Sequence, residues 1–492
     1  AAKLSVLPID DTSPPAAALH ESRRYGLRRY RPSVDGDFAE RLPVGRYRVY
    51  VSRGFEFSRF EQEVEIRAES PVEIAATLIH EVDTGGLLGA EFHQHSLASV
   101  DANVPLAIKV MENAAEGVEV AASTDHDNIA DFRPVVDALG LSSQLLVMAG
   151  NEVSYNGIGH FNVYPWDIDP ADPLRDIGSR VWWQKTIPEL FADLRGLAGD
   201  PVIQVNHPRS STAGYFGAML WNPTTGETEE RGPPGLPSLP ATIYEEWSDD
   251  FEALEVNDSL GAVEDFTPAG WQALGQRAAR DPGSVPVLAD WFGLLGKGKH
   301  VAAMGNSDSH ELNGGVGYPR NFLRLGVDAP AGGTYAGVRE AIRTQRVSIG
   351  NGCLAEFWAG EERPMGVAEA LNSAVLPALR LRVQSPSHVE VDALELYVNG
   401  LAQPLSLTED ELVIEAAGTL SVELSTERRV GAVVVDARLA GLPTGDIVVV
   451  AIARGGGSLR PIGDGQTFCL SAPLYIDDEG DGWRGWLEGD AP

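Results

Sequence analysis

Apolar and polar positions along the chain fall into three regimes. Over residues 1–84, short alternating stretches such as Tyr47 to Val51 and Val64 to Ile66 are broken by Gly and Pro, which predicts a small β domain. Within it, "LPVGRYRVYVSRGFEF" reads as a strand, a glycine turn and a second strand. Over residues 85–360, apolar runs of strand length alternate with segments of helical spacing, the pattern of an α/β unit with mainly parallel strands. The predicted strands are Leu87–Phe92, Val118–Ser123, Leu145–Ala149, Phe161–Tyr164, Val202–Val205, Ala253–Val256 and Val301–Met304. Between the first two, Val104, Ala107, Ile108, Met111 and Ala115 recur at helical spacing. Thr186 and Glu189 form a capping-box pattern ahead of Leu190, Leu194 and Leu197. Seven strands in this rhythm suggest a barrel. Over residues 361–492, "LRLRVQS", "LELYVNG", "LVIEA", "GAVVVDARL" and "DIVVVAIA" return to β patterning, as in a sandwich that supports the catalytic unit.

The stretch from Ser210 to Asp250 interrupts the α/β rhythm with "RGPPGLPSLP" and aromatic residues including Tyr215, Phe216, Trp221, Tyr244 and Trp247. A long excursion of this kind reads as a lid or binding loop, or else as aromatic residues packing the loop down. Arg23, Arg24, Arg28, Arg29 and Arg31 make a basic cluster suited to solvent or to docking on the acidic remainder.

Asp and Glu outnumber Lys and Arg 71 to 38, a formal charge of −33. Such a surface repels phosphate backbones and anionic lipid, so neither nucleic acid nor membrane is expected as a partner. No apolar run approaches the ~18 residues of a membrane span. Cys353 and Cys469 are the two cysteines, which excludes a disulfide scaffold and a cysteine zinc site. The sequence begins at Ala1, as after removal of an export signal or trimming, and leaves compartment and oligomeric state open.

The chemistry lies at the strand ends. His93 and His95 follow "GLLGAEF", and residues two apart on a strand face the same way, so both imidazoles can converge on one ion. "GVEVAASTDHD" delivers Asp125, His126 and Asp127, and "LLVMAGNE" delivers Glu152, a carboxylate able to bridge two ions. His160 opens the next strand after the turn Tyr155-Asn156-Gly157. "PVIQVNHPR" ends in His207, and "HVAAMGNSDSH" ends in Asp308 and His310, again two apart. Core histidines and surface acids would scatter, whereas catalytic groups of parallel α/β barrels collect at the carboxyl ends of strands. Five of the seven strand ends carry a ligand-type residue, which decides for a metal centre. His20, His80, His300 and His388 fall outside this pattern.

With "FHQHS", "TDHD", "GNE" followed by His160, "NHP" and "GNSDSH" in this order, residues 85–350 resemble the polymerase and histidinol phosphatase (PHP) superfamily of metallohydrolases. The β flanks, the "FHQHS" form and "VREAIRTQRVSIGNG" look most like its CehA/McbA branch, although Cys353 stands where the branch usually has Pro. The resemblance implies a distorted (β/α)7 barrel with two or three divalent ions. It implies that His93, His95, Glu152 and Asp308 hold one ion, that Glu152, His160 and His207 hold a second, and that His126 and His310, with Asp101, hold a third. Nitrogen and oxygen ligands suit zinc, manganese or iron. Asp125 is expected to transfer a proton or to orient a ligand histidine. Arg209 either grips a substrate phosphate or carboxylate through its planar fork or pairs with an acid. Trp182 and Trp183 either wall a pocket or pack.

The superfamily implies hydrolysis of a phosphoester of a small-molecule substrate, and the branch implies cleavage of a carboxyl ester, carbamate or amide. Few basic residues flank the motifs, which favours a small or aromatic, weakly charged substrate. A noncatalytic metal-stabilised binding module is the reading from another class. Near the end of the chain, Asp477, Glu479, Asp481 and Glu488 read as an acidic turn or as a loose calcium loop.

Overall fold

The chain is described by a computed structural model. It covers all residues except 10–28, 170, 172–176, 198, 229–245, 258, 313–314, 409–410, 415–421, 424–427, 430–431, 444, 464, 479, 481 and 488–492. Strands β1 (Ala2–Pro8), β2 (Arg29–Ser33), β3 (Gly45–Ser52) and β4 (Phe60–Ile66) form an antiparallel sheet in the order β2-β1-β3-β4. Tyr47, Val49 and Val51 alternate inward and meet Val64, Leu4 and Val6, the period of two read from the sequence. The predicted second strand of "LPVGRYRVYVSRGFEF" begins later than expected, at Phe60, because the chain turns at Gly54 with φ +62°. Arg31 pairs with Glu40 at 2.7 Å, while Arg23, Arg24 and Arg28 lie outside the described residues. Two other cations dock this sheet: buried Lys3 donates to Glu116 and to the Ile462 carbonyl, and Glu56 accepts from Arg320 at 2.9 Å.

All seven predicted α/β strands are present within one or two residues of their expected bounds, but they do not close into a (β/α)7 barrel. β5 (Leu87–Glu91), β6 (Val120–Ser123) and β7 (Leu146–Ala149) are parallel neighbours. The chain then crosses at Gly150 and reverses at once through the hairpin β8 (Asn151–Tyr155) and β9 (Gly159–Tyr164). A Cβ at residue 150 would sit 2.7 Å from the Ser123 carbonyl, so this corner demands glycine. β10 (Val202–Val205) joins β9, and beyond a two-residue hairpin, β11 (Trp221–Asn222) with β12 (Glu227–Thr228), come β13 (Ala253–Glu255) and β14 (Ala302–Met304). β8, β9, β10, β13 and β14 make a second sheet, tied to the first by the isolated bridges Gln94 to Ser309 and His126 to Glu152. The result is a mixed α/β molecule of several sheets. Leu88, Ala90, Val120 and Met148 of the first sheet share a core with Tyr164, Val202, Ala253 and Met304 of the second.

The first sheet continues from β5 through β15 (Arg320–Arg324) and β16 (Val347–Asn351) into Gln466–Leu470. Hydrogen bonding therefore runs across residue 360. In Ile447–Ser458, Val449, Ala451 and Ala453 share a core with Leu379, Leu381 and Val383 of a further sheet, while Val448, Val450 and Ile452 share another with the helix Val287–Gly296. Burial on both faces explains the unbroken apolar run "IVVVAIA". Cys353 and Cys469 form a buried disulfide between neighbouring segments. The helices Leu106–Ala115 and Ile187–Arg195 match expectation, the second with the Thr186–Glu189 capping box formed.

Tyr215, Phe216 and Trp221 are buried and Trp247 stacks on Tyr215 and Trp221 at 4.8 Å, so these aromatics pack the loop down. "RGPPGLPSLP" and Tyr244 lie outside the described residues, as do Glu479, Asp481 and Glu488. Asp477 accepts from the Gly480 and Gly482 N–H groups, the geometry of an acidic turn. Among the described residues, no helix is long and apolar enough to cross a membrane.

Candidate metal centre

The two His/Asp-x-His motifs register against each other through the backbone. Asp308 N–H donates to the His93 carbonyl at 2.9 Å and His95 N–H to the Ser309 carbonyl at 3.0 Å, which sets Asp308 beside His93 and stacks the His95 and His310 rings at 3.9 Å. On the other side, Asp127 N–H donates to the Glu152 carbonyl and Glu152 N–H to the Asp125 carbonyl, which brings His126 next to Glu152. Asn206 N–H donates to the His160 carbonyl and places His207 beside His160. Asp127, His207 and Asp308 adopt left-handed φ values of +47°, +26° and +47°. Such backbone is costly for residues with side chains and clusters where a site needs it.

All nine residues expected as ligands meet in four overlapping groups whose donor atoms lie within 4.8 Å of one another. These are His93, His95 and Asp308; His93, Glu152 and His207; His126, Glu152 and His160; and His95, Asp101, His126 and His310. The grouping differs from the expected one in detail, with His93 beside His207 and His126 beside His160. His93 Nε2 lies 3.1 Å from both Glu152 Oε1 and Asp308 Oδ1, and His95 Nε2 lies 3.0 Å from Asp308 Oδ1. Two atoms each ~2.1 Å from one tetrahedral ion stand ~3.4 Å apart, so this spacing suits co-ligands. His93 Nε2, His95 Nε2, Glu152 Oε2, His207 Nδ1 and Asp308 Oδ1 are buried yet have no partner in hydrogen-bonding geometry. Buried polar atoms without hydrogen bonds are rare, and four of these, His93 Nε2, His95 Nε2, Glu152 Oε2 and Asp308 Oδ1, cluster at neighbour distances of 3.0–3.5 Å, an arrangement that fits a cation.

The electrostatics agree. Burial pulls the His93 imidazole down, but the carboxylates of Glu255, Asp308 and Glu152 outweigh it and hold its pKa well above the usual value. His126 is likewise opposed by burial and raised to about 9 by Glu152 and Asp101. Burial alone would raise Glu152, yet His93, His160 and His126 hold it well below the carboxylate range. Positive charge is thus favoured at the centre of the cluster. Around it, His95 Nδ1 meets Ser99 Oγ at 2.9 Å, His126 Nδ1 meets Ser154 Oγ at 2.7 Å, His310 Nδ1 meets the Asp308 carbonyl at 2.8 Å, and Asn206 donates to Glu152 at 2.9 Å.

Asp125 touches no ligand ring. Both its oxygens accept from Ser96, whose N–H is 2.6 Å away, so it fixes the backbone immediately after His95. Arg209 takes the ion-pair alternative: it binds both oxygens of buried Asp290, at 2.8 and 2.6 Å, and the carbonyls of Pro282 and Trp221. Trp182 is buried and donates to Asp127, whereas Trp183 is exposed. Sequence reasoning missed Glu255, Asn306 and Glu91. Glu255 contacts His93 Nδ1 at 2.7 Å, Asn306 accepts the Phe92 N–H at 3.0 Å, and Glu91, raised to about 7 by burial, accepts the N–H groups of His93, Ser307 and Gly317. The available signal was a polar residue ending or following an apolar strand.

This donor set, carboxylates and imidazoles without thiolate, is that of a centre for divalent ions. No protein-family model and no curated protein matches the chain. A solved structure from Bacteroides vulgatus ATCC 8482, a two-domain protein containing a predicted PHP-like metal-dependent phosphoesterase, is similar at 15% identity and a TM-score of 0.34. The match covers 83% of this chain and 99% of that one. Superposition at that level is too loose to transfer a fold or an activity.

Proposed function

We propose that the protein is a metal-dependent hydrolase of the PHP type, acting most readily on small or aromatic phosphoesters. The observation that supports this reading is the convergence of His93, His95, Glu152 and Asp308, whose buried ligand atoms cluster at neighbour distances of 3.0–3.5 Å without hydrogen-bonding geometry. His93, His95, Glu152 and Asp308 would hold one ion, Glu152 with His160 and His207 a second, and Asp101, His126 and His310 a third. When bound, zinc, manganese or iron supplies Lewis acidity that lowers the pKa of a water and polarises a phosphoryl or carbonyl oxygen. The chain's own contribution is to hold the imidazoles in place and to keep Glu152 and Asp308 ionised. Asp101, half exposed and 3.3 Å from His126 Nε2, stands on the solvent side, where a small substrate would enter.

One observation favours a second reading, cleavage of an uncharged carboxyl ester, carbamate or amide in the manner of the CehA/McbA branch. Arg209, the cation nearest in sequence to His207, is engaged by Asp290 rather than offered to a phosphate. The acidic surface also argues for a small-molecule substrate over nucleic acid or membrane. Purified protein, stripped with chelator and reloaded, is to be assayed on aryl phosphate mono-, di- and triesters, aryl carboxyl esters and aryl carbamates. Metal-dependent turnover of phosphoesters supports the first reading, and turnover of carbon esters alone supports the second. Retained metal with no turnover of any of them would move the protein to the class of metal-stabilised binding modules.

A further inference from the structure

We propose that Glu255 is a positioning residue that presets two ligands at once, so that one ion position depends on it and another does not; this rests on the metal-centre reading above. Glu255 ends β13 and is 3% exposed. Its Oε1 accepts from His93 Nδ1 at 2.7 Å and from Asn306 Nδ2 at 3.0 Å. Its Oε2 accepts the backbone N–H of His207 at 2.9 Å.

Both oxygens face N–H donors, the Asn306 amide and the His207 main chain, so Glu255 acts as an acceptor toward His93 Nδ1 and leaves Nε2 as the ring atom to meet an ion. Nε2 is the buried atom that faces Glu152 and Asp308. The other oxygen holds His207 at its left-handed φ of +26°, a conformation the backbone does not keep unaided. Asn306 fixes the carboxylate in turn, because its own side-chain oxygen is held by the Phe92 N–H and by Asn321 Nδ2 at 2.8 Å. The strand β13 thereby sets the ring of one ligand and the main chain of another.

The effect is uneven across the centre. Glu255 contacts two of the three residues in the group His93, Glu152 and His207. The group His95, Asp101, His126 and His310 takes its orientation from other atoms, the hydroxyls of Ser99 and Ser154 and the Asp308 carbonyl. Glu255→Gln keeps the volume but offers one acceptor and one donor. If its oxygen accepts from His93, its NH2 confronts the His207 N–H, and turning the amide over reverses the conflict. Either way one of the two links is lost.

The test titrates chelator-stripped full-length protein with cobalt(II), followed by visible absorption and calorimetry, for wild type and Glu255→Gln, with the melting temperature of each metal-free protein as control. Loss of such an outer contact weakens metal binding roughly 10–100-fold. The expected result is that loss on the binding steps that use His93 or His207, with the step at Asp101, His126 and His310 unchanged and the melting temperature retained. Steps that are all unchanged, or all weakened together with the melting temperature, would overturn the inference. A second measurement needs no variant: in zinc-loaded protein with 15N-labelled histidine, His93 is expected to keep its proton on Nδ1. A His93 that carries none there overturns the proposal equally. Wild type that binds no cobalt would overturn the metal-centre reading itself, which separates the two failures.

Discussion

Five imidazoles, those of His93, His95, His126, His160 and His207, lie within 3.5 Å of the Glu152 carboxylate. With this one side chain removed, the rings lose their shared counter-charge in a region where an uncompensated charge costs several kcal/mol. Glu152→Ala should therefore lose metal and activity together, read by elemental analysis and the ester panel on the same preparation. Full metal content at wild-type rate in that variant would sink the shared-carboxylate arrangement. His388, which the sequence left as an ordinary histidine, makes a different prediction. Both its ring nitrogens are buried without hydrogen-bond partners, and burial, with Arg59 and Lys3 nearby, lowers its pKa from 6.5 to about 4. Between those values the unfolded chain binds the proton and the folded chain does not, so stability rises with pH across that window. The neutral ring's advantage is complete above pH 6.5 and is lost as pH falls toward 4, by on the order of 3 kcal/mol at most. Urea unfolding at several pH values should show a shallower acid limb for His388→Phe than for wild type. Parallel limbs would show that this ring is not the group responsible.

Elements were legible where a period repeats and a cap closes it. The Thr186–Glu189 box is formed, and its loss in Thr186→Ala should cost about 1 kcal/mol, measured as a shift in urea midpoint. An unchanged midpoint would mean that Ile187, Leu190, Phe191 and Leu194, all buried, hold the helix without it. Most candidate ligands were legible because they follow an apolar strand, whatever sheet that strand joins, whereas His160 opens a strand and Asp101 lies in a loop. Sheet closure was not legible, since a run such as "VIQV" does not encode its partner. The turn at Gly150 and the antiparallel β8–β9 hairpin follow from close backbone approach rather than from hydrophobic period. β13 was the predicted strand whose end offered no candidate ligand, and its last residue, Glu255, hydrogen-bonds two residues proposed as ligands. A carboxylate closing a strand otherwise apolar was the trace it left. The disulfide was equally hidden, because Cys353 and Cys469 are 116 residues apart and meet through sheet register alone.

At the scale of the molecule, the expected division at residue 360 bears on whether the α/β unit before it stands alone. β16 pairs with Gln466–Leu470, matching Ile349 with Leu470 and Gly350 with Cys469. Tyr475 donates to Gln345 at 2.6 Å and Ala472 N–H donates to Ser348 at 2.9 Å. The helix Val287–Gly296, "VLADWFGLLG", is buried at every position, its one charged residue Asp290 being paired with Arg209, and such a helix needs cover on all sides. Part of that cover comes from Tyr397, Val448, Val450 and Ile452, which share its core. A chain ending at residue 360 would expose this helix face, leave β16 as an unpaired edge and strand Cys353 without its partner. Each exposed core side chain forfeits roughly 1.5–3 kcal/mol of burial, and several are lost together against a total stability of only about 5–15 kcal/mol. The truncated chain is therefore expected to lack a cooperative thermal transition and to lose its metal, although every proposed ligand precedes residue 360. Circular dichroism melting and metal analysis of that fragment decide the matter. A sharp transition with metal retained would show that the strands after residue 360 cover the α/β unit without being required for its fold.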